Sequence, residues 1–181
     1  VSLGTAAIAL AGQVNNYANP IFDLLSGNGS LSGSGNSYLL DFGSIAVGSS
    51  VDWMANLAVI NDVLGPADEV DGLFDLTGVN DFLATDFLSF VDLLAGDSVG
   101  GMLLNLNTAL LNVGTYSDVI VLNALGHNAS GYSGAFAPIL LEVRGRVFEP
   151  GAGVPTPATL LLILLGAPFL RFAARRREHR R

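Results

Sequence analysis

The segment Ile139-Leu140-Leu141-Glu142-Val143-Arg144-Gly145-Arg146-Val147 decides the fold class. Its apolar residues alternate with charged ones, with Ile139, Leu141, Val143 and Val147 on one side and Glu142, Arg144 and Arg146 on the other. A period of two is typical of a β-strand that has one face buried and one face in solvent. The segment therefore predicts a β-strand packed against an apolar core.

A second ladder of the same period lies at residues 51–59. One face carries Val51, Trp53, Ala55, Leu57 and Val59, and the other carries Asp52 and Asn56. Short apolar runs bounded by turn residues predict further strands near Leu73–Leu76, Phe87–Leu94, Met102–Leu106 and Tyr116–Leu122. A helix is the alternative for residues 81–94, through a stripe of Phe82, Asp86, Phe87 and Phe90, but a strand is preferred there.

About seven short strands over about 110 residues, each ending in Gly, Asn, Asp or Ser, fit an immunoglobulin-like sandwich. We therefore predict an all-β fold, with an immunoglobulin-like β-sandwich at residues 38–148 followed by a single C-terminal transmembrane helix.

The residues before the sandwich are predicted to lack regular structure. Residues 26–37 are rich in glycine, serine and asparagine, which is typical of loops, so residues 12–37 are expected to form a flexible leader. Residues 1–11 are apolar and end in Ala9-Leu10-Ala11, which matches the A-x-A cleavage site of a secretory signal peptide. We interpret residues 1–11 as a signal-peptide remnant whose single cleavage site is formed by Ala9 and Ala11, and a first strand or helix of the mature domain is the alternative.

Residues 149–181 fall into three parts in a fixed order. The linker at 149–158 carries the box Val154-Pro155-Thr156-Pro157, which its two prolines hold extended. The run Thr159–Leu170 is almost wholly apolar, and residues 159–174 predict a transmembrane segment that is short, since a full span needs about 20 residues. Basic flanks stay on the cytoplasmic side, so the arginines of the end, including the tail at 175–181, are expected to fix the orientation: Arg171, Arg175, Arg176, Arg177, Arg180 and Arg181. A permanent single-pass anchor and a buried core helix are the alternatives.

This three-part order resembles the C-terminal sorting signal of the PEP-CTERM proteins of Gram-negative bacteria: a Val-Pro-x-Pro box, a short transmembrane helix and an arginine-rich end. The resemblance covers Val154–Arg181, and Thr156 stands where the family's name-giving residue is glutamate. It implies that an exosortase, a membrane transpeptidase, recognises the box and cleaves near it. It also implies a surface or matrix protein of a bacterium that makes exopolysaccharide.

A second resemblance starts at Leu40-Asp41-Phe42-Gly43-Ser44-Ile45-Ala46-Val47-Gly48. This segment is similar to the opening of choice-of-anchor type domains, which are related to the ASPM/SPD-2/hydin immunoglobulin-like modules, and residues 107–147 are similar to their closing strands. Gly43 and Gly48 are predicted turn positions, where a backbone without Cβ is useful. The resemblance implies a sandwich that occurs with different C-terminal anchors, and it supplies no catalytic residues.

Charge separates the body of the chain from its end. Residues 1–158 carry 15 of the 16 acids, two of the eight arginines and no lysine, a net charge of −13. Such a body is not expected to bind nucleic acid or an anionic membrane face. The chain has no cysteine, so its folding depends on the core and not on disulfides.

No enzyme activity and no cofactor are predicted. The two histidines, His127 and His179, have no partner that the sequence reveals, and there is no G-x-S-x-G motif. A carboxylate pair for glycoside hydrolysis stays open among the acids. Calcium candidates lie in one acidic stretch, although a solvated turn is the favoured interpretation of it: Asp62, Asp68, Glu69 and Asp71.

The sequence thus predicts an exported structural protein of a Gram-negative cell surface or extracellular matrix. It would be held in the inner membrane as a single-pass intermediate and cleaved by an exosortase, with exopolysaccharide as a further partner. A permanently anchored adhesin or carbohydrate-binding module is the alternative.

Overall fold

The computed structural model describes residues 14–151, and the regular secondary structure of this part of the chain is β-strand apart from one short 3₁₀ turn. The strands are β1 (Pro20–Gly27), β2 (Ser30–Ser34), β3 (Ser37–Ala46), β4 (Trp53–Asn61), β5 (Glu69–Gly78), β6 (Leu83–Thr85), β7 (Phe90–Leu93), β8 (Ser98–Leu106), β9 (Gly114–His127), β10 (Ser133–Ala135) and β11 (Ile139–Phe148). A 3₁₀ turn spans Thr108–Leu110.

The strands form two sheets. The smaller sheet has the order β1-β4-β8-β6, and the larger has the order β2-β3-β11-β9-β5-β7, with β10 paired to β9. Neighbouring strands are antiparallel except for β3 and β11, which run parallel. The predicted all-β class is confirmed, and the two sheets lie in a sandwich-like arrangement around a shared core.

The two clearest period-two patterns are confirmed. In β11, every second residue from Ile139 to Val147 is buried and the residues between them are exposed. In β4, the predicted apolar face from Trp53 to Val59 is buried. Val51 is an exception, because it lies before β4 and is 54% exposed, so the ladder begins two residues later than predicted.

The segment with the ambiguous period, residues 81–94, contains strands and no helix. It supplies the short strand β6 to the smaller sheet and β7 to the edge of the larger one. The preferred interpretation as a strand is confirmed in type. The strand predicted near Phe87–Leu94 is the shorter β7, and β6 is an additional strand that was not predicted.

The prediction of a flexible leader at residues 12–37 is wrong for most of that range. β1 pairs with β4 along Pro20–Gly27, and β2 forms a hairpin with β3. Three glycines make this possible despite the loop-like composition. Gly27 and Gly33 have φ of 130° and 123°, and a Cβ on either would lie within 2.3 Å of a carbonyl oxygen of the neighbouring strand, while Gly35 turns the hairpin at φ 61°. The glycines therefore serve close strand pairing and a tight turn.

The parallel β3–β11 pair joins two segments that are far apart in the sequence. Arg144 and Asp41 are register partners, and the Arg144 guanidinium donates to Asp41 Oδ2 from Nη2 at 2.8 Å and from Nε at 3.1 Å. The register shifts between Arg144 and Arg146, opposite Gly43. Gly43 and Gly48 have φ of 71° and 75°, which confirms that both positions need a conformation that other residues rarely adopt.

The sheets share one apolar core. Its fully buried side chains come from both layers: Trp53, Leu57, Val59, Met102 and Leu104 from the smaller sheet, and Leu40, Val70, Ile120, Leu122, Leu141, Val143 and Val147 from the larger.

Trp53 is the largest side chain in this core and is only 1% exposed. Its ring stacks on Phe42 of β3 at a centroid distance of 5.8 Å and on Phe82 at 6.2 Å. Gly145 of β11 faces the same indole, and a Cβ at Gly145 would lie 2.5 Å from the nearest carbon of the Trp53 ring. The space left by the missing side chain at Gly145 is therefore filled by the indole.

A buried carboxylate fixes the passage of the chain from one sheet to the other. Asp118 of β9 is 2% exposed, and its oxygens accept hydrogen bonds from the backbone N–H groups of Asn80, Asp81 and Phe82 at 2.7–3.1 Å. These residues connect β5 of the larger sheet to β6 of the smaller one. Phe82 is one of these three residues, so the Asp118 carboxylate also positions the Phe82 ring that stacks on Trp53.

We expect Gly145→Ala to lower the free energy of unfolding by about 1–3 kcal/mol, because the new methyl group overpacks the Trp53 indole. Urea unfolding followed by circular dichroism measures this change, because one variant lacks Trp53, the only tryptophan of the chain. Gly114→Ala is the matched control, since its Cβ would meet only Tyr116 at an ordinary 3.9 Å, and it should stay within about 0.5 kcal/mol of the original. The double variant Gly145→Ala with Trp53→Phe should lose less than the sum of the two single variants. Strict additivity would contradict the proposed contact.

Candidate functional site

The structure does not bring the four calcium candidates together. Asp68 is buried, and its Oδ1 accepts a hydrogen bond from Asn128 Nδ2 at 2.7 Å. Asp62 is exposed, and its backbone exchanges hydrogen bonds with Asn19. Glu69 and Asp71 lie two residues apart on β5 and so share one face of that strand. The four candidates therefore do not form one group, and Glu69 and Asp71 belong instead to a different grouping with residues of other strands.

That grouping, here called the His127 cluster, consists of Glu69, Asp71, Asp92 and His127. Its members come from three neighbouring strands of the larger sheet, in the order β9-β5-β7. His127 ends β9 and is the register partner of Glu69, while Asp92 lies on the edge strand β7. Val70, between Glu69 and Asp71, is fully buried, so the cluster lies on the face of the sheet that points away from the core.

The side chains of the His127 cluster are in direct contact. His127 Nε2 lies 3.0 Å from Asp71 Oδ1 and 3.5 Å from Asp92 Oδ1. The backbone N–H of Asp92 donates to the same Asp71 oxygen at 2.9 Å. Asp92 has a φ of 55°, a left-handed conformation that aspartate tolerates better than most residues. Donor atoms of Glu69, Asp92 and His127 all lie within 4.8 Å of one another.

These contacts change the proton affinities of the pair at the centre. The hydrogen bond to Asp71 raises the pKa of His127, partial burial opposes this, and the charges of Asp71, Asp92 and Glu69 add to the rise. Burial raises the pKa of Asp71, but hydrogen bonds from the Asp92 N–H and from His127 outweigh it, so the pKa of Asp71 is lowered overall. The three carboxylates of the cluster therefore stabilise a positive charge at the position of the His127 imidazole.

The sequence does not reveal this cluster, because Asp92 and His127 lie far along the chain from Glu69 and Asp71 and meet them only through strand pairing. His127 has no acidic neighbour in the sequence. The one local signal is Glu69-Val70-Asp71, in which two acids flank an apolar residue with the spacing of one strand face.

The other predicted site residues lie outside the described residues 14–151. They are the signal cleavage residues Ala9 and Ala11, the box Val154, Pro155, Thr156 and Pro157, and the arginines Arg171, Arg175, Arg176, Arg177, Arg180 and Arg181. The predicted transmembrane segment 159–174 lies outside them too. Within residues 14–151, the chain forms no helix with the length and apolar character that a membrane crossing requires.

No protein-family model matches this chain, and a comparison with curated proteins found no match. The resemblances to PEP-CTERM signals and to choice-of-anchor domains therefore stay predictions from the residues.

The pKa shifts make the stability of the folded chain depend on pH in two directions. Because the pKa of His127 is raised in the folded chain, His127 contributes to the free energy of unfolding. This contribution is fully present below a pH of about 6.5, the ordinary pKa of histidine, and is lost as the pH rises through the folded pKa. Because the pKa of Asp71 is lowered, its contribution is present above about 3.9 and is lost as the pH falls through the folded pKa.

In the metal-free chain kept in EDTA, we expect the His127 imidazole to titrate above about 6.5 in an NMR titration. Asp71→Asn should lower the pKa of His127, because it removes the main charged partner while an amide oxygen can still accept from the Asp92 N–H. Asp23→Asn removes the same charge from β1 of the smaller sheet and should leave the pKa of His127 nearly unchanged. Equal effects of the two substitutions would show that general negative charge, and not the contact with Asp71, causes the rise.

Proposed function

We propose that this chain is an exported structural protein of a Gram-negative cell surface or extracellular matrix, sorted through its C-terminal end by an exosortase. The observation that carries the proposal is the order of three elements in residues 154–181: the Val-Pro-Thr-Pro box, the apolar run and the arginines. Each element has a physical role in holding a substrate at a membrane for a protease.

The two prolines restrict the box to extended conformations, and a peptidase can bind an extended segment through its backbone. The apolar run sets the depth of the chain in the bilayer as a short transmembrane helix at 159–174. The arginines resist transfer across the membrane and keep the C-terminus on the cytoplasmic side. The body of the chain then lies on the opposite side, where the exosortase product is released.

The body has properties that suit this role. It folds without cysteine, its strands bury a continuous apolar core, and it carries the net charge of −13 in residues 1–158. We propose that its finer class is an immunoglobulin-like sandwich of the choice-of-anchor type. The positive φ angles of Gly43 and Gly48 support this proposal, because both glycines lie in the segment that resembles the opening of such domains.

The sorting hypothesis is tested by replacing Arg175, Arg176 and Arg177 with glutamate in an exosortase-containing host. We expect the loss of orientation to block maturation, so that the shortened product no longer reaches the cell surface or the medium. Intact mass spectrometry of the recovered protein measures this and locates both cleavage points. Arg146→Glu, an exposed arginine of the body, is the matched control and should mature as the original does.

Unchanged maturation of the triple variant would overturn the proposed role of the arginines. A surface form of the original chain that keeps residues 154–181 would favour the alternative, a permanently anchored adhesin or binding module.

A further inference from the structure

We propose that the His127 cluster is a binding site for a divalent transition-metal ion of the zinc class, with His127, Glu69 and Asp92 as ligands and Asp71 as a positioning residue. This site is independent of the sorting hypothesis, because it lies wholly within the described body.

The spacing of the donor atoms fits such an ion. Zinc binds histidine nitrogen and carboxylate oxygen at about 2.0–2.2 Å, so two ligands of a tetrahedral site lie about 3.4 Å apart. His127 Nε2 and Asp92 Oδ1 lie 3.5 Å apart, which is close to the spacing of two ligands in a tetrahedral site. All three donor pairs lie within 4.8 Å, so the third ligand, Glu69, needs a contraction of at most about 1.4 Å. Rotation of its long side chain can supply that movement.

The backbone positions of these ligands are fixed by the sheet. Glu69 and His127 are direct register partners in the β5–β9 pair, so their side chains leave the sheet side by side. Asp92 is held from β7 by its own N–H, which donates to Asp71 Oδ1 at 2.9 Å. Ligands on paired strands are held more accurately than ligands on loops. Asp71 therefore acts on the site through the backbone of Asp92, and its own contact with His127 Nε2 is given up when that nitrogen binds the ion.

The imidazole distinguishes the cluster from an ordinary solvated acidic surface. His127 contributes a nitrogen donor that contacts two carboxylates, and three carboxylates surround it without a neighbouring lysine or arginine within the cluster. A divalent cation would compensate the excess negative charge of the group. The side chains of His127 and Asp92 are 24% and 69% exposed, so an ion can enter from solvent and water can complete its coordination.

The donor set also selects among cations. Calcium takes six to eight oxygen ligands, whereas imidazole nitrogen combined with carboxylate is typical of zinc and other late first-row ions. An ion at this position would connect β9, β5 and the edge strand β7. Binding to the folded state alone raises its stability, so the same ion should raise the unfolding temperature.

The test is isothermal titration of the full chain, purified in detergent and stripped with EDTA, with ZnCl₂. We expect one zinc ion per chain, a rise in the unfolding temperature with zinc, and a smaller affinity for CaCl₂. His127→Gln and Asp92→Asn should each weaken zinc binding at least about tenfold. Circular dichroism checks that each variant folds. Asp92 is largely exposed on an edge strand, so Asp92→Asn should fold and still test the site if His127→Gln does not fold.

Two control variants separate this site from other binding. His179→Gln removes the only other histidine, and Asp23→Asn removes one charge from the smaller sheet; both should bind zinc like the original. For the positioning residue, Asp71→Asn should weaken binding while the ¹⁵N shift of the His127 imidazole in the zinc-loaded protein keeps its metal-bound value. The proposal is overturned by the absence of zinc binding up to about 1 mM, by zinc binding that persists in His127→Gln and Asp92→Asn, or by equal affinities for zinc and calcium.

Discussion

The contact between the Trp53 indole and the bare backbone of Gly145 connects the two sheets, and much of the described structure is arranged around it. The indole belongs to the smaller sheet, and the glycine belongs to the middle of the larger one. Phe42 and Phe82 stack against the same indole, so β3 and the connection before β6 depend on its position. Interiors are packed to crystal-like density, so a change in one of these side chains is transmitted to the others.

The sequence predicts those strands and glycine conformations that leave a signal within a few neighbouring residues. The sequence predicts β11 and β4 because burial alternates along a single strand, and it predicts the positive φ at Gly43 and Gly48 because glycine is a local signal. Only Gly48 lies in a turn, since Gly43 lies within β3. The β2–β3 hairpin is not predicted, since the glycines at residues 27–35 serve close strand pairing and a tight turn in a segment with the composition of a loop. The parallel β3–β11 pair and the role of Asp118 are long-range features, and no residue near either one indicates its partner.

The same limit applies to the His127 cluster. Two of its acids, Glu69 and Asp71, were found by composition, but they were grouped with the neighbours Asp62 and Asp68. Asp68 is buried just before β5, whereas Glu69 and Asp71 lie on the face of β5 that points away from the core. Nearness in the sequence therefore does not identify the residues that contact Glu69 and Asp71. The register of β5 with β9 and β7 supplies His127 and Asp92 instead. The acidic body as a whole raises the local concentration of cations, which favours occupation of such a site over a neutral surface.

The position of β11 has a consequence for the timing of folding. This strand is nearly the last part of the described chain, yet it lies between β3 and β9 in the interior of the larger sheet. On the proposed export route the chain crosses the membrane from its N-terminus, so β3 emerges early and β11, with which it pairs, emerges late. Non-local pairings of this kind form slowly because a long segment must be closed first. If the proposed route holds, the larger sheet is completed only after β11 has crossed, so the fold would close at about the time when the nearby box reaches the membrane.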